Sequence, residues 1–266
     1  FEELLFTQND KLDKTEFTQP AIVLNSLMSY LAFSERIKAN PEFSLGHSLG
    51  EFTALAVSGA FSFVEAIRLV NLRGKFMQEA CVGKDAGMMV VLGLSDEVVE
   101  GICKEAQDEG LQIYAANYNC DGQIVVAGVR ADLASYEAKF KEAGAKRVML
   151  LNMSVASHCP ILEPASVRLA SELESTLATN FSPVVSNVNA KIYTDKSEAL
   201  VLLKEQLIKP VCYKQSIKNY ENDVDCFIEL GAATLKGINK KITEKPTYSI
   251  IDMASLEEVV KILEER

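Results

Sequence analysis

Short apolar segments alternate with helical segments along most of the chain, and this alternation limits the possible folds more than any other feature. Apolar residues recur at helical spacing and predict helices over 21–39, 49–58, 63–80, 161–178, 197–208, 231–242 and 255–265. Short apolar runs predict strands over 43–46, 184–187, 226–230 and 248–252. Such alternation indicates an α/β fold with a mostly parallel sheet flanked by helices. Pro20 is expected to start the first helix, where its missing N–H costs nothing.

The segment 85–153 has its own order of predicted elements. Strands are expected over 88–92, 111–116, 123–127 and 147–151, with helices over 95–106 and 131–143. This β-α-β-β-α-β order is typical of a ferredoxin-like unit. We therefore predict a hydrolase-like catalytic subdomain built from 1–84 and 154–266, interrupted by a ferredoxin-like subdomain at 85–153.

Composition excludes several classes of function. The net charge of −10 repels nucleic-acid phosphates, so no nucleic-acid partner is expected. No apolar run approaches the roughly 20 residues that cross a bilayer, and the first residues do not resemble a signal peptide. The six cysteines lack C-x-x-C or zinc-ligand spacing, so we expect reduced thiols, no metal and a cytoplasmic location.

A G-x-S-x-G motif spans residues 46–50, between a predicted strand and a predicted helix. In a nucleophile elbow the chain turns sharply, which strains the serine backbone and exposes its hydroxyl. Side chains at Gly46 and Gly50 are expected to collide with neighbouring backbone. Ser48 is therefore the candidate nucleophile, and the N–H of Leu49 is the natural first donor to an oxyanion. The alternative is a glycine-rich turn in which Ser48 only caps a helix.

A serine hydroxyl needs a general base, and the chain has two histidines. His47 adjoins Ser48, and neighbouring side chains diverge at such a turn, so His47 is expected to support the loop. His158 is then the candidate base, although a lone loop histidine is often structural. No acid identifies itself as the third group, and a backbone or amide carbonyl can orient the imidazole instead.

The motif and four other segments resemble one known family. The hexapeptide 46–51 is the signature of malonyl-CoA:acyl carrier protein transacylases and of acyltransferase domains in fatty-acid and polyketide synthases. The agreeing segments occur in the family's order, and they are 18–21, 73–78, 157–159, and 206–207 with 210–211. The resemblance covers essentially the whole chain.

The resemblance implies a role for each matching residue. Ser48 corresponds to the acylated nucleophile, His158 to the base, and Arg73 to the arginine that holds the malonyl carboxylate. Gln206 corresponds to the residue whose main-chain carbonyl orients the histidine. The family also opens with a strand and a Gly-Gln-Gly-Ser-Gln type loop that supplies a second oxyanion donor. We expect the natural protein to carry that segment before Phe1.

Residue chemistry gives independent reasons for an arginine at position 73. A planar guanidinium can hold both oxygens of a carboxylate, and neighbouring Met77 suits a ligand wall. The alternative is a surface arginine in a helical ion pair.

The activity that the resemblance implies is a ping-pong transfer of malonyl from malonyl-CoA to acyl carrier protein, with coenzyme A as product and no cofactor. The carrier protein is expected to be acidic and to dock on a basic patch, for which the candidates are Lys236, Lys240, Lys241 and Lys245. These lysines are alternatively a solvated helix face. The alternative functions are a serine esterase or patatin-like acyl hydrolase, and an inactive carrier-protein-binding module.

Overall fold

A computed structural model describes residues 7–8, 10–38 and 40–265. Its α-helices, in chain order, are α1 (Thr15–Arg36), α2 (Gly50–Val57), α3 (Phe63–Ala80), α4 (Asp96–Asp108), α5 (Arg130–Glu142), α6 (Glu163–Thr176), α7 (Lys196–Gln206), α8 (Tyr213–Tyr220), α9 (Thr234–Asn239) and α10 (Met253–Glu264). Its strands are β1 (Ala86–Leu92), β2 (Ile113–Cys120), β3 (Gln123–Val129), β4 (Arg147–Leu150), β5 (Asn180–Val185), β6 (Ile192–Asp195), β7 (Phe227–Leu230) and β8 (Thr247–Ile250). The chain therefore has an α/β fold. Within the ranges described, no helix combines the length and the apolar character needed to cross a membrane.

The largest sheet is built from the central part of the chain. Its four strands lie in the order β2-β3-β1-β4, and every neighbouring pair is antiparallel. Alternate side chains on each strand enter different cores, as the two-residue period of a strand requires. Met88 and Val125 pack into the main core of the protein, whereas Met89 and Val126 pack against α4 and α5. Burial on both faces explains why β1 is a continuous apolar run.

The remaining strands correct the prediction of a mostly parallel sheet. In the described part of the chain, β7 pairs with β8 in parallel, but β5 pairs with β6 in antiparallel orientation. The predicted strand over 43–46 is reduced to one parallel bridge between Ser44 and Val184. The Ser44 N–H donates to the Pro183 carbonyl, and the Ser44 carbonyl accepts from the Val185 N–H. This pairing nevertheless anchors the chain just before the G-x-S-x-G motif.

Two short elements were not predicted from the sequence. Strand β6 ends in two polar residues, Thr194 and Asp195, so its four residues form neither an apolar run nor an apolar–polar alternation. Helix α8 is short as well, and its buried apolar residues Tyr213 and Ile217 make one i,i+4 pair. Tertiary packing stabilises such elements more than local propensity does.

Helix α1 corrects the prediction that Pro20 starts the first helix. The helix begins at Thr15, so Pro20 lies in its second turn. A proline there leaves the carbonyl of residue i−4, Glu16, without its helical donor. The side chain of Asn71 on α3 supplies the missing donor, because its Nδ2 lies 2.9 Å from the Glu16 carbonyl oxygen. A contact between two helices thus compensates for a local defect in one of them.

This compensation can be tested by a double-mutant cycle. Asn71→Ala should lower the free energy of unfolding by about 1–3 kcal/mol, since it leaves the Glu16 carbonyl unpaired. The same substitution in a Pro20→Ala background should cost about 1 kcal/mol less, because an alanine at that position provides the helical N–H. Denaturant unfolding measures both costs. Equal costs in the two backgrounds would contradict the proposed exchange of donors.

Candidate active site

The G-x-S-x-G motif forms a sharp turn that leads into helix α2. Ser48 has a φ of 52°, a left-handed conformation that non-glycine residues adopt rarely and only when their surroundings hold them there. A Cβ on Gly46 would lie 2.1 Å from the carbonyl carbon of Gly50, so only glycine fits at position 46. At position 50 the predicted collision is wrong, because an added Cβ would meet no atom within 4 Å. The turn therefore requires a glycine at position 46 but leaves room for a side chain at position 50.

The structure brings Ser48 and His158 into direct contact although 110 positions separate them in the sequence. The Ser48 Oγ lies 2.7 Å from His158 Nε2, and His158 Nδ1 lies 2.7 Å from the main-chain oxygen of Gln206. A carbonyl only accepts, so Nδ1 carries the proton and Nε2 can receive the serine proton. Gln206 ends helix α7, where the last carbonyls lack helical donors. Among the described residues, a main-chain carbonyl and not a carboxylate orients this imidazole.

Burial sets the protonation state of His158. Its side chain is 2% exposed, and desolvation lowers its pKa to about 3, with the nearby Arg73 charge acting in the same direction. The imidazole is consequently neutral at physiological pH, which is the form that can accept a proton.

Arg73 lies beside the Ser48 hydroxyl and not on the surface. It is 2% exposed, and its Nη2 lies 3.1 Å from Ser48 Oγ and 3.2 Å from Gln206 Oε1, while Nη1 lies 2.8 Å from Gln19 Oε1. Its Nε is buried and has no hydrogen-bond partner in the described residues. Burial lowers the pKa of Arg73 to about 10, so the guanidinium stays charged at neutral pH. The surface ion-pair alternative is therefore excluded.

Glu51 is a buried acid whose part in the site the sequence did not reveal. Its carboxylate accepts hydrogen bonds from Gln206 Nε2 at 2.6 Å, from the Tyr193 hydroxyl at 2.8 Å and from the Asn187 N–H at 3.3 Å. Desolvation raises the pKa of Glu51 to about 7, despite these donors. Glu51 stands three residues after Ser48 in the motif, but nothing in the sequence indicates that it is fully buried.

Asn187 is a second residue that the sequence did not identify. Its Oδ1 accepts from the Ser48 N–H at 2.6 Å, and its Nδ2 donates to the Gly46 carbonyl at 2.7 Å. One amide thus pairs with the backbone on both sides of the turn, as a neighbouring strand would. His47 supports the loop as predicted, because its Nε2 donates to Asn119 Oδ1 at 2.8 Å.

The remaining predicted residues are Leu49, Met77 and the lysines, and only some of them lie near Ser48. The Leu49 N–H, at the start of α2, finds no acceptor in the described part of the chain, so it is free to meet an oxyanion. Met77 is buried and accepts a weak hydrogen bond from Gln19, the residue that binds Arg73. Lys240 and Lys241 are exposed just beyond α9, and the main chain of Lys236 binds the carboxylate of Glu229. These lysines are not part of the Ser48 hydrogen-bond network.

Over the ranges that the structure describes, His, Cys, Asp and Glu side chains do not gather in groups of three or more able to hold a metal ion.

Comparison with known proteins adds evidence of a different kind. Residues 2–244 match the family model described as "Acyl transferase domain". The malonyl CoA-acyl carrier protein transacylase of Haemophilus influenzae is 38% identical over 96% of this chain and 83% of its own, and that of Bacillus subtilis is 34% identical over 96% and 82%.

Solved structures agree with these relatives. A malonyl-CoA:acyl carrier protein transacylase from Helicobacter pylori is 43% identical, with a TM-score of 0.95 over 99% of this chain and 85% of that one. A malonyl-transacylase in complex with its type II polyketide synthase acyl-carrier protein is 34% identical, with a TM-score of 0.93 over 98% and 85%.

Replacing each glycine of the motif by alanine should have opposite effects on stability. Gly46→Ala should lower the free energy of unfolding by at least about 3 kcal/mol, since its Cβ would overlap backbone that cannot move aside. Gly50→Ala should be neutral or stabilise the protein by up to about 1 kcal/mol, because alanine favours the helix that begins there. Denaturant unfolding of both variants checks this. Similar losses at both positions would show that the turn is tight on both sides.

Proposed function

The chain belongs to the acyl transferase domain family, and from this membership and the site geometry we propose that it transfers the malonyl group of malonyl-CoA to the phosphopantetheine thiol of acyl carrier protein, in fatty acid biosynthesis. One observation carries the proposal. The Ser48 hydroxyl contacts both a neutral imidazole at 2.7 Å and a buried guanidinium at 3.1 Å. The imidazole suits acyl transfer, and the guanidinium suits an acyl group that ends in a carboxylate.

The first half of the reaction loads the enzyme. His158 Nε2 takes the Ser48 proton while Oγ attacks the thioester carbonyl carbon of malonyl-CoA. The carbonyl oxygen becomes an oxyanion at the start of α2, where the Leu49 N–H can donate to it. When the C–S bond breaks, the proton on His158 passes to the leaving sulfur, so coenzyme A departs as a thiol. Malonyl remains as an ester on Ser48.

The second half repeats these steps with the carrier protein as acceptor. Its phosphopantetheine thiol gives a proton to His158, and the sulfur attacks the ester carbonyl. The C–O bond to Ser48 breaks, and Ser48 recovers its proton from the imidazolium. The Gln206 carbonyl, at the negative end of α7, stabilises that imidazolium in both halves. All proton transfers use side chains of the chain itself, so the proposed mechanism needs no cofactor.

Arg73 gives the proposed site its preference for malonyl. The malonyl carboxylate is separated from the reacting carbonyl by one methylene, and Arg73 Nη2 lies 3.1 Å from the oxygen that attacks. A carboxylate can therefore bind the guanidinium while the carbonyl meets Ser48. The unpaired Nε of Arg73 is a further donor that such a ligand could use. Removing one partner of such a desolvated pair costs about 2–5 kcal/mol, which is ample to discriminate malonyl from acetyl.

The rival functions fit the geometry less well. A serine esterase or patatin-like hydrolase uses an Asp partner or a Ser–Asp–His order, whereas here the partner of Ser48 is His158, whose ring donates to a main-chain carbonyl. An esterase of neutral acyl groups would gain nothing from a charged arginine buried beside its nucleophile. An inactive binding module would not need a serine held at a φ of 52° against a neutral histidine.

We also propose that the chain divides into a hydrolase-like catalytic subdomain, 1–84 and 154–266, and a ferredoxin-like subdomain, 85–153. Two features support this division. The four-stranded sheet and its helices α4 and α5 share one apolar core, which is separate from the core beneath Ser48. Their β-α-β-β-α-β order and antiparallel pairing are those of ferredoxin-like units.

The proposed roles of Ser48 and Arg73 predict a specific acyl-enzyme. Incubation with malonyl-CoA should give a malonyl adduct, seen by mass spectrometry of the intact protein, that persists until carrier protein is added. Ser48→Ala should abolish the adduct. Arg73→Ala should lower kcat/KM for malonyl-CoA by about 30-fold to several thousand-fold, with a much smaller change for acetyl-CoA.

Arg68 provides the matched control for Arg73. It lies on the same helix, but its ion pairs with Glu65 and Glu172 are on the surface. Arg68→Ala should leave the ratio of malonyl to acetyl transfer unchanged. Equal losses for the two arginine variants, or rapid hydrolysis of the adduct in the absence of carrier protein, would contradict the proposed function.

If the carrier protein docks on Lys240 and Lys241, changing these lysines should affect KM for carrier protein alone. Charge reversal in the variant Lys240→Glu/Lys241→Glu should raise KM for carrier protein several-fold and leave KM for malonyl-CoA unchanged, because long-range charge acts mainly on encounter with the acidic partner. The control reverses Lys139 and Lys141 on α5, which lie in surface ion pairs elsewhere. A carrier-protein KM that stays at the wild-type value, or that rises equally in the control, would exclude this patch.

A further inference from the structure

Glu51 is a buried carboxyl group for which the proposed mechanism has no use. It is 0% exposed, and it makes no hydrogen bond to Ser48 Oγ or to the His158 ring. A carboxyl group removed from water is unfavourable unless its surroundings compensate for the lost solvation. Three donors do so here, and one of them is the side chain of Gln206. Glu51 is therefore connected to the residue that also contacts His158 and Arg73.

The Gln206 amide has a direction that its neighbours must enforce. Its Nε2 donates to Glu51 at 2.6 Å and to the Ser48 carbonyl at 3.1 Å, while its Oε1 accepts from Arg73 Nη2 at 3.2 Å. Rotation of the amide by half a turn would set Oε1 against two acceptors and Nε2 against a guanidinium, which only donates. Only one of the two amide orientations satisfies all of these partners.

Glu51 is the strongest of the groups that favour the observed orientation. Above its pKa of about 7 the Glu51 carboxylate is ionised and only accepts, and its hydrogen bonds are about twice as strong as those between neutral groups. It also lies close enough to Arg73 for its negative charge to favour the charged form of the guanidinium. Two further groups donate hydrogen bonds to the Glu51 carboxylate, the Tyr193 hydroxyl and the Asn187 N–H.

We propose that Glu51 is a positioning residue that holds the Gln206 amide with its oxygen toward Arg73, and that it thereby aims the guanidinium at the carboxylate of the acyl group. This inference rests on the proposed malonyl transfer. Glu51 touches no reacting atom, so its effect should appear in acyl-group preference and not only in overall rate. A purely structural role would lower the transfer of every acyl group alike.

The test compares malonyl- and acetyl-CoA as acyl donors in single-turnover acylation of Ser48, above pH 7 so that Glu51 is ionised. Glu51→Gln is nearly isosteric, but glutamine can both donate and accept, so the amides of residues 51 and 206 can rotate together. We expect the ratio of malonyl to acetyl kcat/KM to fall about tenfold or more, with partial recovery in Glu51→Asp, which keeps an acceptor-only charge. An unchanged ratio in a folded Glu51→Gln variant would overturn the proposal.

Two further variants separate positioning from stability. Tyr193→Phe removes another donor to Glu51 while leaving the bond to Gln206, so it should lower stability but keep the malonyl-to-acetyl ratio. If the ratio fell as far as in Glu51→Gln, the loss of any donor to Glu51 would change acyl preference, and the specific role of the bond to Gln206 would be contradicted. Gln206→Met keeps the main-chain carbonyl that orients His158 and removes only the amide. It should lower the ratio, and Glu51→Gln added to it should change the ratio little further.

Adduct formation by the wild-type protein separates a failure of the proposed malonyl transfer from a failure of the proposed role of Glu51. If wild-type protein forms no malonyl adduct from malonyl-CoA, the proposed function fails, and the inference fails with it. If the adduct forms and the ratio responds to Arg73→Ala but not to Glu51→Gln or Gln206→Met, only the inference fails. Should Glu51→Gln not fold, as judged by its unfolding transition, Gln206→Met carries the test by itself. An unchanged ratio in that variant would show that the amide does not aim Arg73.

Discussion

The structure depends on how polar groups are paired in a site where most of the polar side chains are almost fully buried. Gln206 is the centre of that pairing, because its main-chain oxygen orients His158 while its side-chain amide joins Arg73, Glu51 and the Ser48 carbonyl. In water these groups would be solvated individually. In the desolvated site each one constrains the next, since an unpaired group there costs about 1–3 kcal/mol or more. Residues from four separate parts of the sequence therefore behave as one unit.

Burial also allows His158 to stay neutral and Arg73 to stay charged at the same pH. A neutral base and a charged arginine must both lie within hydrogen-bond reach of one hydroxyl. Burial and the Arg73 charge both disfavour imidazolium and so lower the pKa of His158, while Arg73, with its pKa of about 10, remains charged. The arginine that is proposed to hold the substrate thus also helps to keep the base in its reactive form. A bound carboxylate would weaken that effect by offsetting the arginine charge, and the imidazole would become more basic once the acyl group is in place.

The sequence was informative where local geometry decides the outcome. The elbow required glycine at position 46, and the scarcity of histidine led directly to His158. The sequence could not reveal Asn187 or Tyr193, because each is an ordinary residue until the fold brings it to a partner some 140 positions away. The errors have the same cause. Pro20 lies inside a helix because a residue of another helix replaces the missing donor, and the strand expected before the motif is a single bridge to Val184.

The four-stranded sheet and its helices α4 and α5 also contact the site. The α4–α5 unit holds the elbow through Asn119, which binds His47, and strand β2 binds the main chain of Val211 just before α8. On the same side, Lys214 of α8 forms ion pairs with Asp96 and Asp121, and it is nearly buried. A movement of this sheet away from the rest of the chain would break these bonds together, so the contacts that hold the turn would oppose such a movement. Contacts of this kind would help to keep the proposed Ser48 ester aligned with the thiol acceptor.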